Sequence, residues 1–142
     1  MFRGIALALC AVAGFAAPAV AAGDVAAGKK VFNRCKACHE AEKDANKAGP
    51  SLHGVIGRHA GAVEGFKYSA AMAKAGEEGL IWTEEKFSEY MVKPKDMIPG
   101  NTMSFAGLRK PEDIANLLAY LESVAPEKAE GAAEEKEAAP AE

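Results

Sequence analysis

The sequence is poor in several things that would otherwise define its class. Its 142 residues hold three cysteines, at positions 10, 35 and 38, too few and too unevenly placed for a disulfide scaffold. Outside the first two dozen positions no run of 18 apolar residues occurs, which excludes a polytopic membrane protein. Seventeen Lys and Arg against twenty Asp and Glu give a net charge of −3, without the basic excess of a nucleic-acid binder. Alternating apolar and polar positions are nearly absent, so little strand is expected. What is present, 49% apolar and 26% charged residues, suits one small soluble domain. A domain of this size buries only about two thirds of the surface its unfolded chain exposes, so reinforcement beyond its own apolar side chains is common.

Three regions differ in character. Residues 1–21 carry one positive charge at Arg3, an apolar stretch over 5–17 and then Ala19-Val20-Ala21, a small-x-small pattern. This is the layout of a secretory signal peptide and predicts a mature chain that begins at Ala22 or Gly23, in the periplasm, with Cys10 removed. The apolar stretch is short and interrupted by Gly14 and Pro18, which does not suit an uncleaved anchor. Residues 125–142 hold six Glu and two Lys with no aromatic and no β-branched residue. Such a segment cannot repay the entropy of ordering and is expected to be a disordered acidic tail. Residues 22–124 then contain 14 basic and 14 acidic side chains, a neutral body in which the placement of charge matters more than its sum.

The body reads as all-α, short helices joined by glycine- and proline-rich loops. Asp24 is a candidate N-cap for a helix that sets Gly28, Phe32 and Cys35 on one face. A second helix begins at Thr83, with Glu84 and Glu85 in its first turn and Phe87, Tyr90 and Met91 at helical spacing, and stops before Pro94. A third starts at Pro111 and buries Ile114, Leu117, Leu118 and Leu121, with Tyr120 at the edge of the stripe. A short helical candidate covers 69–74. Glycines at 49, 54, 57, 61 and 65 mark long loops, and loops of that length in so small a domain usually wrap something.

Cys35-Lys36-Ala37-Cys38-His39 carries the chemistry. C-x-x-C-H is the attachment sequence of c-type haem: both thiols form thioethers with the porphyrin and the adjacent imidazole reaches iron. A thioredoxin-like dithiol would need a βαβ setting that the chain does not offer. A zinc site would need four ligands, and beyond these three only His53 and His59 remain, in glycine-rich loops. For a sixth iron ligand the candidates are Met72, Met91, Met97, Met103, His53 and His59. Met91 lies on a helix stripe and Met72 reads as packing. Met103, in the irregular Pro99-Gly100-Asn101-Thr102-Met103-Ser104-Phe105, is preferred, with Met97 as the fallback.

Gly28-x-x-x-Phe32-x-x-Cys35-x-x-Cys38-His39, Gly49-Pro50-Ser51-Leu52-His53-Gly54, Gly65-Phe66-x-Tyr68, Trp82 and Pro99-Gly100-x-x-Met103-x-Phe105-Ala106-Gly107 follow one another in an order that resembles a class I cytochrome c. The similarity is greatest to the bacterial cytochrome c2 and mitochondrial cytochrome c branch, and it spans about 24–124. The resemblance implies one covalently attached haem c, with His39 and Met103 as the axial iron ligands. It implies that the Pro50 carbonyl accepts a hydrogen bond from His39, that Arg58, Tyr68 and Trp82 hold the haem propionates, and that the Tyr90 hydroxyl lies near the methionine sulfur. Gly28 and Phe32 should pack against Leu117 and Tyr120. Met72 and Asn101 depart from the pattern, standing where relatives often have a polar residue and a threonine.

By the same resemblance the protein is not an enzyme but a monomeric single-electron carrier without nucleic-acid partners. It would shuttle electrons from a cytochrome bc1 complex to a cytochrome oxidase or a photosynthetic reaction centre. The alternatives are a dedicated donor to one periplasmic enzyme, or a haem peroxidase or gas sensor whose methionine detaches. Acidic partner surfaces are expected to dock near Arg34, Lys36, Lys95, Arg109 and Lys110, with Lys47 and Lys93 close by.

Overall fold

The computed structural model describes residues 23–126, so the expected leader and nearly all of the expected acidic tail lie outside the described residues. Helix α1, Val25–Phe32, starts where Asp24 accepts a hydrogen bond from the Ala27 amide at 2.6 Å. Helix α5, Pro111–Ser123, opens on a proline whose missing N–H would have no partner there, with Glu112 and Asp113 complementing the positive end of the helix dipole. The two helices cross at close range. Gly28 sits directly on the Asn116 carbonyl and the Tyr120 side chain, leaving no space for a Cβ. Asn116 Oδ1 accepts from the Asp24 amide at 2.7 Å, and the Phe32 and Tyr120 rings meet at 5.4 Å.

Helix α2, Ala70–Glu77, is capped by Ser69, whose Oγ accepts from the Met72 amide, and runs three residues past its expected end. Helix α3, Glu84–Val92, is capped by Thr83 and buries Phe87, Tyr90 and Met91. It ends as expected at Lys93, because proline restricts the residue before it and brings no amide. Pro94 then opens a separate single turn, α4 (Pro94–Met97), which the sequence reading did not include. Four residues are too few to display an apolar period.

Among the described residues there is one isolated antiparallel bridge, His59 with Ile81, and no strand. Around it Ala60 N–H bonds Leu80 O, Trp82 N–H bonds Arg58 O and Gly57 N–H bonds Trp82 O. This short pairing fixes Arg58 and Trp82 beside each other. The core between α1, α3 and α5 is completed by Leu108, Leu117 and Leu121, each almost wholly buried.

Candidate functional site

Helix α1 does not extend to Cys35 as the sequence suggested. After Phe32 the ladder tightens, and the amides of Asn33, Arg34 and Cys35 bond carbonyls three residues back. Lys36 N–H then reaches Phe32 O and His39 N–H reaches Cys35 O at 2.9 Å, so Cys35 and His39 close one turn of their own. The open carbonyls of this turn are covered from the loop that follows. Gly49 N–H bonds Cys38 O at 2.7 Å, while Lys47 Nζ donates to Lys36 O and His39 O and pairs with Glu40 at 3.3 Å.

His39 Nδ1 lies 2.8 Å from the Pro50 carbonyl. A carbonyl only accepts, so Nδ1 carries the proton and the lone pair belongs to Nε2. Burial pushes the imidazole below its ordinary range, opposed by the Pro50 bond and reinforced by the Lys47 ammonium. The ring is thereby held neutral, the form that binds a metal. Gly49 covers one face of it so closely that a Cβ would strike the ring.

Cys35, Cys38, His39, Pro50, Arg58, Tyr68, Trp82, Tyr90 and Met103 all line one cavity of about 380 Å³, with Leu52, Val55, Phe87 and Leu117 among its apolar walls. Neither Cys35 nor Cys38 is in a disulfide; Cys35 is half-buried and Cys38 exposed. Of the six candidates for a sixth ligand, Met72, Met91 and Met103 reach this cavity. Met97 instead lines a separate shallow groove with Ala75 and Ile98. Met91 is packed in the core, whereas Met103 comes from the irregular segment after Gly100.

The polar lining is suited to an anion. Arg58 donates to Ser51 O at 2.7 Å and His53 O at 3.0 Å, which leaves three of its five N–H donors uncommitted. Burial draws its pKa down from the usual value, the cost of a cation short of water, and a buried carboxylate would relieve it. Tyr68 accepts from the Val63 amide at 3.2 Å, so its own O–H proton is free to donate. The Trp82 and Tyr90 rings meet at a tilt, centroids 4.9 Å apart, and burial alone pushes the Tyr90 hydroxyl up to about 12. Among the described residues neither the Trp82 indole N–H nor the Tyr90 hydroxyl bonds another protein group. Since no polar side-chain atom there is both sealed and unpartnered, both open onto the cavity.

These features fit a haem: an apolar slot lined by two thiols and a neutral imidazole, with unpartnered donors in the same lining for two carboxylates. They do not fit the rival metal reading. Among the described residues no group of three or more His, Cys, Asp or Glu could hold a bare metal ion. Sequence reasoning missed the contacts by which Lys47, Gly49 and Asn101 build the site, because Lys47 and Asn101 work on backbone carbonyls and Gly49 on the His39 ring ten residues away, and no side-chain spacing records such contacts. The visible signals were Gly49, the first residue of the Gly49-Pro50 motif, and Asn101, read as a departure from the expected threonine.

Comparison with known proteins agrees with the geometry. The family described as Cytochrome c matches residues 25–125. The cytochrome c2 of Agrobacterium tumefaciens is 52% identical over 100 residues, covering 70% of this chain and 90% of the relative. Cytochrome c-550 of Nitrobacter winogradskyi is also 52% identical over 100 residues, covering 70% and 89%. Among solved structures, cytochrome cH from Methylobacterium extorquens superposes with a TM-score of 0.65 at 40% identity, covering 71% of this chain and 99% of its own.

Proposed function

The chain belongs to the cytochrome c family and carries haem c attached at Cys35 and Cys38, and we propose that it is a soluble single-electron carrier of the periplasm. The observation that carries this reading is His39, presented neutral beside two thiols with its lone pair on Nε2. In the proposed assembly His39 Nε2 and Met103 Sδ, both lining the cavity, would hold the iron. Arg58, Tyr68 and the Trp82 indole N–H bind the propionates, offsetting the cost of carboxylates in an apolar pocket. When bound, haem supplies a one-electron Fe(III)/Fe(II) couple. A neutral thioether from Met103 would favour the ferrous state more than a second imidazole would, raising the potential, and with both residues as ligands the site would serve electron transfer rather than substrate binding. The Pro50 carbonyl, by accepting from His39, makes the imidazole more electron-donating and fixes its orientation.

Replacing Met103 with alanine tests this assignment. The variant should lose the sulfur-to-iron charge-transfer absorption, show a lower reduction potential, and admit carbon monoxide in the ferrous state. Ready binding of carbon monoxide by the unaltered ferrous protein would instead indicate a gas or peroxide site.

Residues 1–21 act as the export leader in this reading, and the partners are a cytochrome bc1 complex and an oxidase or reaction centre. No described helix is long and apolar enough to cross a membrane. Arg34, Lys36, Lys95, Arg109 and Lys110 are exposed and form no ion pair among the described residues. Lys47 is tied to Glu40 and Lys93 to Asp96 at 2.8 Å, which lowers their availability to a partner. Arg34 lines the cavity beside the exposed Cys38, and Lys36 lies in the same attachment turn. Neutralising Lys95 and Arg109 together should slow reaction with an acidic partner about tenfold at low ionic strength and flatten its salt dependence. An unchanged salt slope in stopped-flow kinetics would remove these two residues from the docking surface.

A further inference from the structure

The Met103 segment is held by little. Among the described residues the backbone of 102–107 makes no main-chain hydrogen bond, and the segment is pinned again at its end, where Gly107 presses on the Val92 backbone and Leu108 N–H meets Met91 O at 2.7 Å. The one polar anchor of Met103 is its own N–H, which donates to Asn101 Oδ1 at 3.0 Å. Asn101 is buried, 5% exposed, and its Nδ2 donates to Pro94 O at 3.0 Å and Ile98 O at 2.8 Å. Two carbonyls that only accept and an amide that only donates fix the orientation of the side-chain amide without ambiguity. Pro94 O is the first carbonyl of α4, and Asn101 therefore bolts the methionine segment to that turn.

From this network we infer that Asn101 is the positioning residue for Met103, setting how firmly the methionine sulfur is held over the cavity; the inference rests on the reading of Met103 as an iron ligand. A threonine at this position has a single hydroxyl and cannot serve two carbonyls and an amide at once. Asparagine gives this chain a stiffer anchor. Loss of the anchor acts through Met103: the segment moves more freely, and a small external ligand competes better for iron.

The test uses the full haem-bearing protein with Asn101→Thr, Asn101→Ala and, as a control, Met103→Ala. Imidazole binding to the ferric form at 25 °C is measured together with hydrogen exchange of the Met103 amide and of α5 amides. Asn101→Ala should bind imidazole about tenfold tighter and exchange the Met103 amide at least tenfold faster, with α5 amides unchanged. Asn101→Thr should fall between it and the unaltered protein, and carries the test if the alanine variant does not fold. Variants within twofold of the unaltered protein in both measurements would overturn the inference. So would equal acceleration of Met103 and α5 amides, which would reduce Asn101 to a contributor to global stability. If Met103→Ala leaves imidazole affinity unchanged, the ligand reading fails separately, and amide exchange still decides whether Asn101 anchors the segment.

Discussion

Gly28→Val is expected to abolish cooperative folding of the haem-bearing protein, and Gly28→Ala to lower its stability by about 2 kcal/mol, from about 3 for overpacking less about 1 regained in helix propensity. The two effects have opposite signs, so the experiment discriminates between them. If propensity decided, alanine inside α1 would stabilise. Its Cβ, however, would meet the Asn116 carbonyl and the Tyr120 Cβ, and backbone cannot swing aside as a long side chain can. Helix α5 could retreat only by stretching the 2.7 Å bond from the Asp24 amide to Asn116 and opening the Phe32–Tyr120 contact. Valine adds two branches at the same spot. Guanidinium unfolding of the alanine variant should show a lower midpoint at an unchanged slope. A raised midpoint would mean that the crossing has room to spare.

Much of this fold was readable because its signals are local. Asp24, Thr83 and Pro111 start helices where a cap or a proline should, and the stripes of α3 and α5 repeat often enough to show a period. C-x-x-C-H is likewise local, and it led to the cavity. The features that were not readable join distant segments through backbone atoms. α4 is too short for a period, and the Arg58–Trp82 pairing rests on carbonyls and amides that any residues supply. The first helix was extended to Cys35 because the apolar spacing continues past Phe32. Tightened hydrogen bonding there turns the chain instead, and no side-chain pattern records such a change. Lys47 illustrates the same limit for charge: in the sequence it is one more exposed lysine, whereas in the structure it caps the attachment turn.

Gly49 is the second position where one added carbon should have a large effect, and here the sign carries chemistry as well as stability. Its φ is not positive, so alanine can adopt the backbone without strain, and at an open loop site the change would stabilise by about 0.4–1 kcal/mol through the unfolded chain. Gly79 shows the opposite case: nothing lies near it, but its φ of +92° makes a side chain cost about 1–2 kcal/mol in backbone strain alone. At Gly49 the obstacle is the imidazole of His39, which is also tethered to Pro50 O at 2.8 Å. To admit a Cβ the ring must tilt away from that carbonyl, which combines overpacking with a weakened buried hydrogen bond, together about 3 kcal/mol. The potential should move as well. A ring that no longer donates to Pro50 O is a poorer electron donor, stabilises ferric iron less, and so raises the reduction potential. Gly49→Ala should therefore be less stable in denaturant and more oxidising in a redox titration, with Gly79→Ala matching only the first change. A Gly49→Ala protein with unaltered potential would show that the Pro50 bond survives and that the loop carrying Gly49, not the ring, absorbs the added carbon.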